Sequence, residues 1–225
     1  MNRRHITLAA FSATLGLVWT PARAQLTEGD AASGVRAALE RGAVAAVSLL
    51  GRNDGFLGNP KVRIPLPGAL QDAAKLMRTL GQGKRVDELE IAMNRAAESA
   101  VPEGKALLVN AVKQMSVEDA LRIVRGGDDA ATQFFAAKTR TPLTQRFLPI
   151  VKHATERVSL AQKYEAFAGR AASFGLIKAD DADLPHYITG RALDGLYLVI
   201  GEEERKIRKD PVGTGSEILR RVFGF

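Results

Sequence analysis

The segment DLPHYITGRALDGLYLVIGEEERKIRK, residues 183–209, decides the fold class of this chain. Its apolar side chains recur every three or four residues, at Ile188, Ala192, Leu196 and Val199, which is the spacing of one face of an α-helix. An aspartate and a proline at its start are typical of a helix N-terminus, and the charged residues after position 201 end the apolar face. The segment therefore predicts a long helix with one side buried in a core.

The same periodicity covers most of the chain before and after this segment, interrupted by glycines and prolines. Thr27 and Ser116 are each followed by an aspartate three residues later, which predicts two helix starts, and Thr141-Pro142 predicts another. Two further helices are predicted at residues 164–175 and 216–223. No segment shows the two-residue alternation of a strand. We therefore expect an all-α, single-domain bundle of about nine helices.

The first 24 residues have the features of a signal peptide. Arg3 and Arg4 precede an uncharged apolar run at residues 6–19, and Ala22-Arg23-Ala24 has the small-x-small pattern of a cleavage site. The run is about fourteen residues long, short of the ~20 that a membrane-spanning helix needs. We expect cleavage after Ala24, a helical domain at residues 25–225 and a periplasmic location. General secretion is favoured, and twin-arginine export stays open as the alternative.

The composition narrows the classes of function further. Removal of the leader takes away three arginines and no acidic residue, so the formal charge falls from +7 to +4. Basic and acidic residues alternate along the rest of the chain, which argues against a nucleic-acid-binding face. The chain has no cysteine, which excludes disulfides and thiolate metal sites. Packing alone must then stabilise the domain.

Residues 51–67 form the longest irregular stretch of the helical domain and carry most of the candidate ligand-binding residues. Arg52, Asp54, Asn59 and Arg63 lie there, and rigid polar loops of this kind often form binding sites. An arginine beside backbone donors is suited to hold a carboxylate or phosphate. The alternative is a structural connection whose apolar residues plug the bundle.

A second candidate is the turn RGGDD at residues 125–129, with Arg125, Asp128 and Asp129. Two adjacent acids are too few for a calcium loop, which needs six or more oxygen ligands. The alternative function of this turn is to end one helix, with Asp128 or Asp129 capping the next.

No catalytic or metal-binding set is evident in the sequence, so we expect no metal and no cofactor. Only His153 and His186 follow the leader, and neither has a second histidine at metal-binding spacing. There is no Gly-x-Ser-x-Gly motif for a serine nucleophile. A glycosidase needs only two well-placed carboxylates, so a hydrolase stays possible. The acids to inspect for burial are Glu88, Glu90, Glu98, Glu103, Asp119 and Asp194.

Several unusual motifs together resemble one bacterial family. They are DGFLGNP at 54–60, RIPLP at 63–67, LGQG at 80–83, NRAA at 94–97, EDAL at 118–121, RGGDDAAT at 125–132 and ALDGL at 192–196. The chain resembles, over essentially all of its mature length, the family called domain of unknown function 4197. The resemblance implies an exported, mostly helical bacterial protein of undetermined activity. The family has no known catalytic residues that could be assigned to positions of this chain.

The function we expect from the sequence is that of a periplasmic helical protein without catalytic activity, which binds an unknown small molecule or an envelope protein. Two alternatives stay open. One is a hydrolase of an envelope polymer that uses a carboxylate pair. The other is a carrier of an apolar ligand inside the bundle, which needs an interior cavity of several hundred Å³.

Overall fold

In the computed structural model, which describes residues 27–158, 161, 162, 164 and 183–210, the chain folds into packed helices. The all-α prediction is confirmed for this part of the chain, where no strand occurs. The described residues form seven α-helices and one 3₁₀ helix, fewer than the nine helices predicted for the domain. The signal peptide and the helices predicted at residues 164–175 and 216–223 lie essentially outside it. The helices are α1 (Glu28–Leu50), α2 (Gly68–Thr79), α3 (Gly83–Ala100), a 3₁₀ helix (Val101–Gly104), α4 (Lys105–Lys113), α5 (Val117–Arg125), α6 (Ala130–Thr155) and α7 (Leu184–Lys209).

Helix α7 is the long helix that the opening segment predicts, and it lies in the centre of the packing. Asp183 caps it by accepting a hydrogen bond of 3.0 Å from the backbone N–H of His186. The apolar face, including Ile188, Ala192 and Leu196, is buried against α6, α1 and α3. Burial of this face favours the fold, because each large apolar side chain removed from water contributes about 1.5 to 3 kcal/mol.

Helix α6 corrects two of the predictions. It runs without interruption through Pro142, so the helix start predicted at Thr141-Pro142 is wrong. Proline lacks the N–H that the helix interior uses and normally breaks it. Here the buried positions recur at every fourth residue from Ala131 to Thr155, and this continuous stripe against α3 and α7 offsets the lost hydrogen bonds.

The second correction concerns the start of α6, where neither Asp128 nor Asp129 caps the helix by its side chain. Asp129 instead accepts a hydrogen bond of 2.9 Å from the side chain of Gln133. The cap comes from α7: the buried carboxylate of Glu204 accepts hydrogen bonds of 2.9 Å from the backbone N–H groups of Ala131 and Thr132. An anion is favourable there because the first N–H groups of a helix are unpaired and carry positive partial charge.

The helix starts at Thr27 and Ser116 are confirmed. Each hydroxyl accepts a hydrogen bond from the backbone of the aspartate three residues later, and each aspartate accepts one from the backbone of the capping residue. These are capping boxes, which satisfy two otherwise unpaired donors at each helix start.

No helix in the described ranges is both long enough and apolar enough to cross a bilayer.

Replacement of Glu204 by alanine is expected to lower the free energy of unfolding by about 3 kcal/mol, because Arg208 and the first turn of α6 lose their buried partner. Chemical denaturation followed by circular dichroism measures the loss. Glu203→Ala is the matched control: its carboxylate pairs with the exposed Lys206, and its loss is expected to stay below about 1 kcal/mol. Equal losses in the two variants would contradict the capping role of Glu204.

Candidate functional site

The loop of residues 51–67 connects α1 to α2 and is held against α3 by one buried carboxylate. Glu98 accepts hydrogen bonds of 3.0 Å from the backbone N–H groups of both Phe56 and Leu57. Its second oxygen accepts a hydrogen bond of 2.6 Å from Arg95. Arg95 also reaches Asp54 at 2.8 Å, and its hydrogen bonds to Glu98 and then Asp54 raise its pKa. The predicted site residue Asp54 therefore belongs to a chain of charges that fixes the loop.

A single buried amide fixes the second half of the loop. The side chain of Asn94 accepts a hydrogen bond of 2.8 Å from the backbone N–H of Ile64 and donates one of 3.0 Å to its carbonyl. The same amide nitrogen donates to the carbonyl of Glu90 at 2.8 Å. Asn94 thus forms with Ile64 the same two hydrogen bonds that a residue of a neighbouring β-strand would form. The polar atoms of its buried side chain all have hydrogen-bond partners.

The loop also packs tightly against α7. Phe56 is fully buried, and a Cβ atom placed on Gly195 would lie 2.9 Å from its ring. Only glycine allows this approach without displacing the phenylalanine or Val62 behind it. The hydroxyl of Tyr187 donates a hydrogen bond of 3.1 Å to the carbonyl of Pro65. The loop is therefore a packed part of the core as well as a connection.

The remaining loop residues predicted to bind a ligand lie on its surface. The side chain of Asn59 accepts a hydrogen bond of 3.2 Å from the backbone of Lys61, and Arg63 forms an ion pair of 3.0 Å with Glu90. The side chain of Arg52 is exposed and forms no hydrogen bond or ion pair with a described residue. The geometry matches the structural alternative for this loop, while ligand binding by these residues stays a prediction.

The turn at residues 125–129 is exposed and forms no bond with the loop of residues 51–67 in the described part of the chain. Arg125 borders a shallow depression along α5, together with Glu118 and Arg122. Asp128 bonds no described residue. Within the described ranges, no hydrogen bond or ion pair joins the turn to the loop, and no three potential metal-binding side chains lie together. The structure does not bring the two predicted sites into one.

A cleft that the sequence analysis missed lies between α4, α5 and α6. Its volume is about 300 Å³, and its apolar walls are formed by Leu107, Ala111, Phe134 and Pro142. The polar lining residues are Asn110, Gln114, Asp119, Lys138 and Thr139. This size is within the range of small-molecule sites. The cleft exists only because three helices meet, so no local pattern in the sequence could have revealed it.

The polar groups of this cleft differ in whether they are already occupied. Asn110 lies on α4, and Gln114 follows the end of that helix one turn later. The side chains of both residues are exposed and form no hydrogen bond with a described residue. The exposed ammonium group of Lys138 has no ion-pair partner among those residues either. Thr139 is occupied, because its hydroxyl is 2.6 Å from the carbonyl of Phe135 and 2.9 Å from the hydroxyl of Tyr197. Three side chains are therefore available to a ligand.

Asp119 stands at the edge of the cleft as an anion. The hydrogen bonds from the side chain and backbone of Ser116 are the main reason that its pKa is lowered, and the charges of Arg122 and Lys138 lower it further. Its carboxylate is engaged in the capping box of α5. Asp119 therefore contributes negative charge to the cleft rim while its own acceptor positions are partly used.

A hydrolase of the common type needs two carboxylates that face one substrate, and the described clefts do not present such a pair. Each of the three described clefts is lined by one carboxylate: Asp119, Glu118 or Glu204. Among the acids singled out in the sequence, Glu98 is buried, but its oxygens hold the loop and Arg95. The apolar pocket beside Glu204 has a volume of about 10 Å³, far below what an apolar cargo requires.

Replacement of Glu98 by alanine is expected to release the loop from α3. The N–H groups of Phe56 and Leu57 would lose their acceptor, so their amide exchange should accelerate at least about tenfold. Hydrogen exchange measured by NMR or mass spectrometry tests this. Glu88→Ala, on the exposed side of α3, is the control and should leave both amides protected. Unchanged protection in Glu98→Ala would show that Glu98 does not hold the loop.

Asp119→Asn is expected to make the protein about 0.5 kcal/mol less stable at neutral pH, because the charge at the first turn of α5 is lost. A lowered pKa in the folded state means that the carboxylate stabilises the fold above the ordinary pKa of aspartate. This contribution disappears as the pH falls through the folded-state value. Denaturation midpoints of wild type and variant should therefore converge in acid, once the pH lies below the folded-state pKa of Asp119. A difference that persists in acid would contradict this origin.

Comparison with known proteins gives a family and no activity. The family described as "Protein of unknown function (DUF4197)" matches residues 25–224. No curated protein matches the chain. No solved structure matches it either. The match covers nearly the whole chain, and the protein therefore belongs to the DUF4197 family of proteins of unknown function.

Proposed function

We propose that this protein is exported to the periplasm and acts there as a binding module whose ligand occupies the cleft between α4, α5 and α6. The leader at residues 1–24 supports export by its basic start, its apolar run and its cleavage pattern. The family match begins at residue 25, the first residue after the proposed cleavage site, which adds support. The cleft carries the binding proposal.

The lining of the cleft indicates the chemistry of its ligand. Lys138 supplies a positive charge, and the amides of Asn110 and Gln114 supply both donors and acceptors. Phe134 and Leu107 supply an apolar wall. A small organic carboxylate with an apolar portion satisfies both sets of groups, because its charge can pair with Lys138 while the rest leaves water. The ligand class we propose is a small amphipathic carboxylate.

The cleft is favoured over the loop because three of its polar side chains, those of Asn110, Gln114 and Lys138, have no partner among the described residues. Asp54, Asn59 and Arg63 already have partners within the protein, so a ligand at the loop would have to displace them. Displacement of an internal partner reduces the net free energy of binding. The depression at Arg125 has a single described wall, formed by α5, and encloses a ligand less well.

A hydrolase and an apolar carrier are less well supported. A hydrolase of the common type needs two carboxylates facing one substrate, and the described clefts are lined by one each. The carrier needs a large apolar cavity, which the described interior pocket does not provide.

Binding of a panel of small carboxylates, measured by ligand-observed saturation-transfer NMR, tests the proposal. Lys138→Met is expected to weaken the best ligand about tenfold or more, since a charge-assisted hydrogen bond contributes about 1.5 to 3 kcal/mol. Asn110→Ala/Gln114→Ala should weaken it as well. The control is Lys152→Met, an exposed lysine of the same helix outside the cleft. Equal affinity in Lys138→Met and wild type, or a panel without any binder, would contradict the proposal.

A further inference from the structure

The connection between α2 and α3 ends in an exposed apolar surface. We call residues 75–85 the hairpin tip. Within it, Leu76 and Leu80 are 61% and 68% exposed, more than any other large apolar side chain in the described part of the chain. Leu76 lies in α2 and Leu80 is the residue that follows the helix. The backbone N–H of Leu80 still donates a hydrogen bond of 3.0 Å to the carbonyl of Leu76, so the two residues are one turn apart. Two leucines held in water at adjacent positions are costly, and such exposure marks a surface that binds an apolar partner.

Basic residues surround these leucines. The hairpin tip contains Lys75, Arg78, Lys84 and Arg85 and no acidic residue. Lys75 pairs with Asp72 at 3.0 Å and Arg78 pairs with Asp87 at 2.8 Å, both acids lying just outside the tip. The side chains of Lys84 and Arg85 are exposed and form no hydrogen bond or ion pair with a described residue. Two unpaired cations thus accompany the two exposed leucines.

The shape of the hairpin tip favours insertion over docking in a groove. Among the described helices α2 packs mainly on α3, and most residues of the connection between the two are exposed. Its turn contains Gly81, with a φ of 76°, and no heavy atom lies within 4 Å of the position where its Cβ would stand. An exposed connection that carries apolar residues and cations is suited to an interface with an apolar interior and a negatively charged surface.

We propose that the hairpin tip binds the surface of an anionic phospholipid bilayer. Leu76 and Leu80 enter the boundary between headgroups and acyl chains, and Lys84 and Arg85 pair with lipid phosphates. Apolar burial and attraction between cations and anionic headgroups are the two contributions that hold interfacial helices on membranes. The association is peripheral, and it uses residues distinct from those of the α4–α5–α6 cleft.

Co-sedimentation with vesicles tests this inference, using protein that begins at Gln25 so that the apolar leader does not contribute. We expect binding to phosphatidylcholine vesicles that contain phosphatidylglycerol, and much weaker binding to phosphatidylcholine alone. Added salt should reduce the binding, because it screens the cations of the hairpin tip. Absence of binding to the anionic vesicles would overturn the proposal.

Substitutions separate the two contributions. Leu76→Ser/Leu80→Ser should reduce the partition coefficient at least about tenfold through lost apolar burial. Lys84→Gln/Arg85→Gln should reduce it about thirtyfold on anionic vesicles only, since each of the two cations near such a surface contributes about 1 kcal/mol. All four side chains are exposed, so circular dichroism should be unchanged.

Matched controls remove the same kinds of exposed residue elsewhere. Val117→Ser/Leu198→Ser and Arg146→Gln/Lys152→Gln should bind anionic vesicles as wild type does. Equal losses in the controls would overturn the assignment to the hairpin tip.

Light scattering without vesicles tests whether a second copy of the chain, in place of a bilayer, covers the hairpin tip. A dimer that Leu76→Ser/Leu80→Ser dissociates, in a protein that ignores vesicles, would also overturn the proposal.

Discussion

The buried carboxylate of Glu204 is the interaction on which the arrangement of the central helices depends. It joins the C-terminal half of α7 to the first turn of α6, and Arg208 balances its charge at 2.8 Å. Since α6 packs on α3, α4, α5 and α7, its position determines where the other helices meet. The cleft is one result, because it forms where α6 passes α4 and α5.

Glu98 performs the same task at the other irregular point of the chain. Both glutamates accept hydrogen bonds from two successive backbone N–H groups of a segment distant in sequence. Both are balanced by an arginine on their own helix, Arg95 or Arg208. A buried anion is stable only when its hydrogen bonds and a counter-charge replace the water it has lost. The protein thus uses one chemical arrangement twice, to place a loop and to begin a helix.

Local information was sufficient for much of the fold. The helix faces, the capping boxes at Thr27 and Ser116 and the irregular residues 51–67 follow from periodicity and from side chains at most three residues away. The errors occurred where a distant group decided the outcome. Asp129 was a reasonable cap by position, but Glu204 arrives from more than 70 residues away. Pro142 was a reasonable helix start, but the buried stripe of α6 continues across it.

The candidate sites follow the same division. The polar residues of the loop are predicted to bind a ligand because irregular segments often do so. The tertiary fold, however, gives most of them partners within the protein. Lys138 lies within α6 and Gln114 directly follows α4, and neither segment carries a recognisable motif. Within the described part of the chain neither side chain has a partner. Which polar groups remain free is settled only when the helices pack, and a single sequence does not contain that information.

Asn94 shows how narrow the chemical requirement at one buried position is. Its amide offers an acceptor to one backbone group and donors to two carbonyls, at Ile64 and Glu90. Aspartate has nearly the same shape but would direct an oxygen at both carbonyls, and leucine would leave all three groups unsatisfied. Deamidation of this one side chain would therefore turn two attractive contacts into repulsive ones inside the protein, so this attachment of the loop to α3 lasts only as long as Asn94 keeps its amide.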